Sequence, residues 1–168
     1  AGHVRYLEAA KGYGDVLMFL EQHDAAETWY LKSLHIAREN NDRGSILAAL
    51  LLLSHGYIAL ARLDSAYRCI SEGLRLAADS GPRSVVSGLV SDSGKVAKRR
   101  GQPVRALHLW GAASAIAHPE GAQFDPKVVQ YLGLETKTVA AEWAVGRAMS
   151  WREAVQYALG SSSPTPES

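Results

Sequence analysis

The chain has 168 residues, 47% of them hydrophobic, enough to bury one sizeable core or one continuous ribbon of stacked units, which excludes disorder for most of its length. Its 18 basic and 17 acidic residues leave a formal net charge of +1, so no global field recommends nucleic acid or an anionic membrane as a partner. The single cysteine, Cys69, excludes an intrachain disulfide, and its place among Tyr67, Ile70 and Leu74 reads as a small buried hydrophobe in a reducing compartment.

Taken from the start, the chain shows helical periodicity almost at once, with no basic segment, apolar stretch and small-residue cleavage site in front of it; a cytoplasmic location is therefore expected. Residues 44–78 read as two helices back to back. Leu50, Leu53, Tyr57 and Leu60 fall at helical spacing in the first half, and Ala66, Ile70, Leu74 and Ala77 in the second, with Leu63 and Asp64 between. The apolar run 46–53 is far shorter than the roughly 20 residues needed to cross a bilayer. It is predicted to be a core helix.

The rest of the chain varies this hairpin. Gly14, Ser54 and Gly94 are spaced by 40 residues, and the same register aligns Ala26 with Ala66 and Ala106, and Tyr30 with Ile70 and Trp110. Small residues at two fixed places predict close helix approach, with the large ones filling the grooves beside them. Asp24 with Glu27 is a candidate capping box, Asp64 a candidate cap of the next helix, and Pro103 suits a first helical turn. Asn40, Asn41 and Asp42 form a predicted turn.

After Ala117 the register fails, and the next alanine position holds Gly146. Residues 118–125 are rich in Gly and Pro; a short helix from Asp125-Pro126 to about Leu132 follows, then one over about 135–144, then one to Leu159 capped by Ser150 with Glu153. The expected organisation is three hairpins over 1–117, a C-terminal helical cap over 118–160 and a disordered tail over 161–168.

The repeated pattern over about residues 4–117 resembles the tetratricopeptide repeat, with a period of 40 in place of about 34. The resemblance implies an all-α fold, a right-handed superhelix of three helical hairpins plus the cap. The run Ala106-Leu107-His108-Leu109-Trp110-Gly111-Ala112-Ala113, followed by Trp143-Ala144-Val145-Gly146-Arg147-Ala148-Met149-Ser150, looks like the terminal region of bacterial LuxR-type and AfsR-type signal-transduction ATPases that regulate transcription. That resemblance implies a non-enzymatic interaction or sensor domain whose partner is a protein or peptide, including the ATPase or DNA-binding part of its own full-length protein.

In tetratricopeptide-like arrays the first helices line a concave groove, and carrying this over by register places Glu8, Lys11 and Asp15 in the first unit, Leu51, His55 and Ile58 in the second, and Lys95, Lys98 and Arg99 in the third. A groove running from acidic through apolar to basic suits an extended peptide. Two alternatives stand beside it: a small-molecule effector pocket lined by His55, Trp110 and Tyr131, and a homo-oligomer stacked through its end faces.

Catalytic and cofactor signatures are absent from the pattern. Gly12-Tyr13-Gly14 lies within a helical stretch with no strand before it, no phosphate-binding loop occurs, and the six histidines at 3, 23, 35, 55, 108 and 118 include no pair four apart. No Gly-x-Ser-x-Gly elbow is present. The expectation is no enzyme, no cofactor, no metal, no nucleic-acid contact and no membrane insertion.

Overall fold

The computed structural model describes residues 2–78 and 81–160, excepting the side chains of residues 2–8 and 11. All regular structure among them is helical: α1 (Gly2–Phe19), α2 (His23–Glu39), α3 (Arg43–Ala59), α4 (Leu63–Ala77), α5 (Arg83–Arg99), α6 (Pro103–Ala117), α7 (Lys127–Leu132), α8 (Thr136–Arg147) and α9 (Trp151–Ala158). No helix among the described residues is long and apolar enough to cross a membrane. The predicted tail, 161–168, lies outside the described residues.

Four of these helices stop in the same way. After α1, Gln22 N donates to Leu17 O at 2.8 Å and Glu21 N to Met18 O at 3.1 Å; the bonds Asp42 to Ala37, Arg62 to Tyr57 and Gln102 to Ala97 repeat the first of these after α2, α3 and α5. This is the Schellman arrangement, which needs one left-handed residue. Glu21, Asn41, Ala61 and Gly101 supply it, with φ of 60°, 52°, 57° and 74°. The residue after each becomes the N-cap of the next helix.

That geometry corrects two expected caps. Because α2 begins at His23 and α4 at Leu63, Asp24 and Asp64 lie inside the first helical turn, and neither Gln22 nor Arg62 makes a side-chain cap. Glu27 looks away from the helix start: it accepts from Tyr57 Oη at 2.9 Å and from Arg62 Nη1 at 2.7 Å. The working caps are Asp42, which accepts from Ser45 N, and Ser150 with Glu153, which form the predicted capping box.

The described chain divides into two compact units, Ala1–Gly81 and Pro82–Ser168, so the third hairpin, α5–α6, groups with the C-terminal helices. In the first unit, α1 packs on α2, α2 on α3 and α3 on α4. Leu17, Ala26, Tyr30, Leu34, Ala49, Leu50 and Leu53 form its core, with Met18, Trp29 and Tyr57 packed against it. Helix α3, covered by both α2 and α4, buries Leu47, Leu50, Leu53, Ser54 and Ile58. Its nearly all-round apolarity has that cause.

The small-to-large register is physical. Ala26, Ala66 and Ala106 are all fully buried. A Cβ on Gly14 would overlap the Tyr30 ring, and one on Gly94 would overlap the Trp110 indole. In the second unit α6 packs on α5, α8 and α9. Helix α8 approaches α6 backbone to backbone: a Cβ on Gly146 would strike the His108 carbonyl, and one on Gly111 the Trp143 carbonyl. Gly146, where the hairpin register fails, is thus a small residue at a close helix crossing.

Candidate functional site

The second unit contains an open groove of about 770 Å³, within the range typical of small-ligand sites. Ser87, Ser91 and Lys95 line it from successive turns of α5, Trp110, Ala113 and Ser114 from α6, Lys127, Val128 and Tyr131 from α7, and Trp143 from α8; His118 and Gln123 contribute from the connecting segment.

Each wall follows from the packing described above. Gly94 leaves the space into which Trp110 turns, and the indole Nε1 donates to Ser91 O at 3.1 Å. Trp110 and Tyr131 face one another at 6.2 Å between ring centroids. The close α6–α8 crossing at Gly111 and Gly146 brings Trp143 to the groove, where Phe124 supports it at 6.0 Å. Arg147 ties α8 to the far end of α6, donating from Nη1 to Ser114 Oγ at 2.9 Å and from Nη2 to His118 O at 3.3 Å. The Trp143 Nε1 atom is buried without an acceptor among the described residues.

Charge in and beside the groove is unevenly compensated. Lys95 Nζ lies 2.8 Å from Oδ1 of Asp92, a carboxylate buried beneath it. Asp125 Oδ1 accepts from the backbone N of Lys127 at 2.8 Å. Lys98 Nζ sits 3.8 Å from the centroid of the Tyr131 ring. Lys127 is one turn before Tyr131 on α7, the spacing that puts two side chains on one helix face. Among the described residues no carboxylate pairs with Lys98 or Lys127.

A second polar constellation lies within the same unit. His108, 7% exposed, places Nε2 2.6 Å from Glu142 Oε2 and Nδ1 3.1 Å from Tyr157 Oη, linking α6 to α8 and α9. Arg105 stacks on the Tyr157 ring at 4.4 Å and donates to the Tyr157 carbonyl. Burial raises the Tyr157 hydroxyl above its ordinary range against the opposing pull of Arg105, so the phenol stays protonated. Carboxylate, imidazole and phenol in a chain can pass a proton, yet none of the three lines the groove. Their evident work is to fasten three helices.

The residues singled out by register fall as follows. Asp15 is exposed and accepts from Tyr30 Oη at 2.8 Å; Leu51 and His55 are partly buried; Ile58 is buried in the first unit. The side chains of Glu8 and Lys11 lie outside the described residues. Lys95 lines the groove and Lys98 abuts its Tyr131, whereas Arg99 is exposed at the end of α5. Of the effector-pocket trio, Trp110 and Tyr131 line one groove together, and His55 belongs to the first unit. Lys127, His118 and Trp143 escaped notice as site residues; the cationic Lys127 one turn before the aromatic Tyr131 was the available signal.

Cys69 is partly buried, and burial first, with Glu72 nearby, pushes its thiol up to about 11, which suits an unreactive packing residue. Among the described residues no three His, Cys, Asp or Glu side chains gather as a metal site. Comparison with protein-family models, with curated proteins and with solved structures returns no match.

Proposed function

We propose that the chain is a non-enzymatic recognition domain and that the groove of the second unit is where it binds a compact effector. The observation that carries this reading is a cavity of about 770 Å³ walled by Trp110, Tyr131 and Trp143, with the Lys95 and Lys127 ammonium groups in its lining. Aromatic walls supply apolar contact area, and the few polar groups supply orientation. The resemblance to the terminal region of LuxR-type and AfsR-type regulators gives the setting: a sensor region whose occupancy is relayed to an ATPase or DNA-binding part of a longer bacterial protein. In that setting the hairpins form a tetratricopeptide-like right-handed array, a reading supported by the recurring Gly14–Tyr30 and Gly94–Trp110 contacts.

The test is a thermal-shift screen of small metabolites against the chain and its Trp110→Ala and Tyr131→Ala variants. A specific ligand raises the melting temperature of the parent by mass action and loses that effect in both variants. Hits that shift all three proteins alike would place binding elsewhere.

A second reading, a protein partner or a second copy of the chain, is favoured by the apolar C-terminal end of α1 and the residue after it, where Val16, Phe19 and Leu20 are 53%, 87% and 55% exposed. Sedimentation equilibrium over a hundredfold range of concentration separates it from the first: a strict monomer removes self-association.

A further inference from the structure

Resting on the reading of the groove as a ligand site, we propose that its ligand is a small amphipathic anion, a flat apolar body bearing one carboxylate. Besides Tyr131, the large apolar side chains of the lining are Trp110, Val128 and Trp143, whose surface favours a ring over a sugar or a phosphate chain. The anion subsite is the Tyr131 end, where two ammonium groups flank one phenol: Lys98 over the ring at 3.8 Å and Lys127 one turn back along α7.

Charge accounting favours an anion there. The Lys95 ammonium is compensated by the buried Asp92; the Asp125 carboxylate, one oxygen of which accepts from the Lys127 backbone N, keeps its charge in the lining, so Lys98 and Lys127 against Asp125 leave a net positive charge here. Lys98 and Lys127 have no carboxylate partner among the described residues, and Lys98 holds only the weak negative face of Tyr131. A ligand carboxylate offers both lysines a full charge at the open rim of the groove, where Lys127 is exposed and Tyr131 is 55% exposed, and a charge-assisted hydrogen bond there is stronger than a neutral one. A ligand ammonium meets the same two cations, with Asp125 as the carboxylate in the lining that offsets them in part.

Three probes with one ring system test the assignment: 1-naphthaleneacetate, 1-naphthaleneethanol and 1-naphthylmethylammonium, titrated into the 15N-labelled chain by NMR with affinities from calorimetry. The expected result is shifts centred on α7 and on Trp110, with the carboxylate bound about tenfold tighter than the alcohol and the ammonium weakest. Charge reversal in the double variant Lys98→Glu, Lys127→Glu inverts that order and leaves the circular dichroism spectrum unchanged. Equal affinity for the three probes, or an order unchanged in the double variant, overturns the anion assignment while leaving the groove a ligand site. Failure of all three probes to shift any groove resonance overturns the assignment and the ligand-site reading together.

Discussion

The ring of Tyr30 rests on the bare α-carbon of Gly14, so close that a Cβ at position 14 would collide with Tyr30 Cε1. Tyr30 is 2% exposed and its hydroxyl donates to Asp15, so the ring has no room to retreat. Replacing a mid-helix glycine with alanine ordinarily stabilises by roughly 0.5–1 kcal/mol. Here Gly14→Ala is expected to destabilise by about 1–3 kcal/mol through overpacking. Ala66→Leu, at a fully buried position, carries a similar cost of about 1–3 kcal/mol. Urea midpoints for the two variants decide it, and a neutral or stabilised Gly14→Ala would contradict the close contact of Gly14 with Tyr30.

The helix stops predict opposite signs for opposite swaps. Ala61 carries φ of 57° and Gly101 φ of 74° at equivalent places. A left-handed conformation costs a residue with a Cβ about 1–2 kcal/mol. Ala61→Gly is expected to gain up to about 1 kcal/mol, and Gly101→Ala to lose about 1 kcal/mol. No neighbouring atom crowds a Cβ on Gly101, so the loss is purely conformational. Thermal melts of the two single variants are sufficient, and shifts of the same sign would contradict the shared stop.

His108 joins Glu142 to Tyr157 across three helices. His108→Leu keeps the bulk but leaves a carboxylate and a phenol without their partner, at an expected cost of about 1–3 kcal/mol. Hydrogen exchange locates the effect: α8 and α9 should lose protection while α1–α4 keep theirs. An unchanged exchange pattern in α8 and α9 would show that the imidazole bridge holds nothing together.

Alkaline pH should weaken the first unit before the backbone is stressed. Burial, as the leading cause, raises Cys69 from 9.0 to about 11 and Tyr57 from 10.0 to about 12, the latter helped by its hydrogen bond to Glu27. Both groups are raised, so their contribution to stability is fully present below the unfolded values and is lost as pH climbs through the folded ones. Stability is expected to hold up to pH 9 and to decline from there to about 12. Cys69→Ala removes the early part of the decline and Tyr57→Phe lessens the later part, to which Tyr30, raised by burial and its hydrogen bond to Asp15, also contributes; urea midpoints in a pH series read both.

Local, periodic features were legible without coordinates. The spacing of Gly14, Ser54 and Gly94 against Tyr30, Ile70 and Trp110 is a helix-pair pattern, and the close approaches of Gly14 to Tyr30 and of Gly94 to Trp110 fit it. The misplaced caps at Asp24 and Asp64 have one cause: Glu21 and Ala61 take left-handed conformations that composition does not announce, and they set the helix starts. The groove was half legible. Trp110 and Tyr131 could be paired, but Lys127 and Trp143 reach it through a Gly/Pro-rich segment and a glycine-mediated crossing that no period encodes. The His108 chain joins residues 34 and 49 apart, beyond any local pattern.

The identical helix stops bear on the order in which the molecule assembles. In the first unit each helix packs on its neighbour in sequence across a link of only three residues, so the entropy lost in closing each contact is small. The second unit is different, because α6 must wait for α8 and α9 to return across the long segment that carries α7. Topology of this kind separates fast from slow formation. Helices α1–α4 are expected to form in the early phase of refolding, and the enclosure of Trp110 and Trp143 in a later one, visible as a lag in indole fluorescence. On this schedule the groove is the last structure the chain completes, and a partly assembled chain is one in which its walls have not yet met.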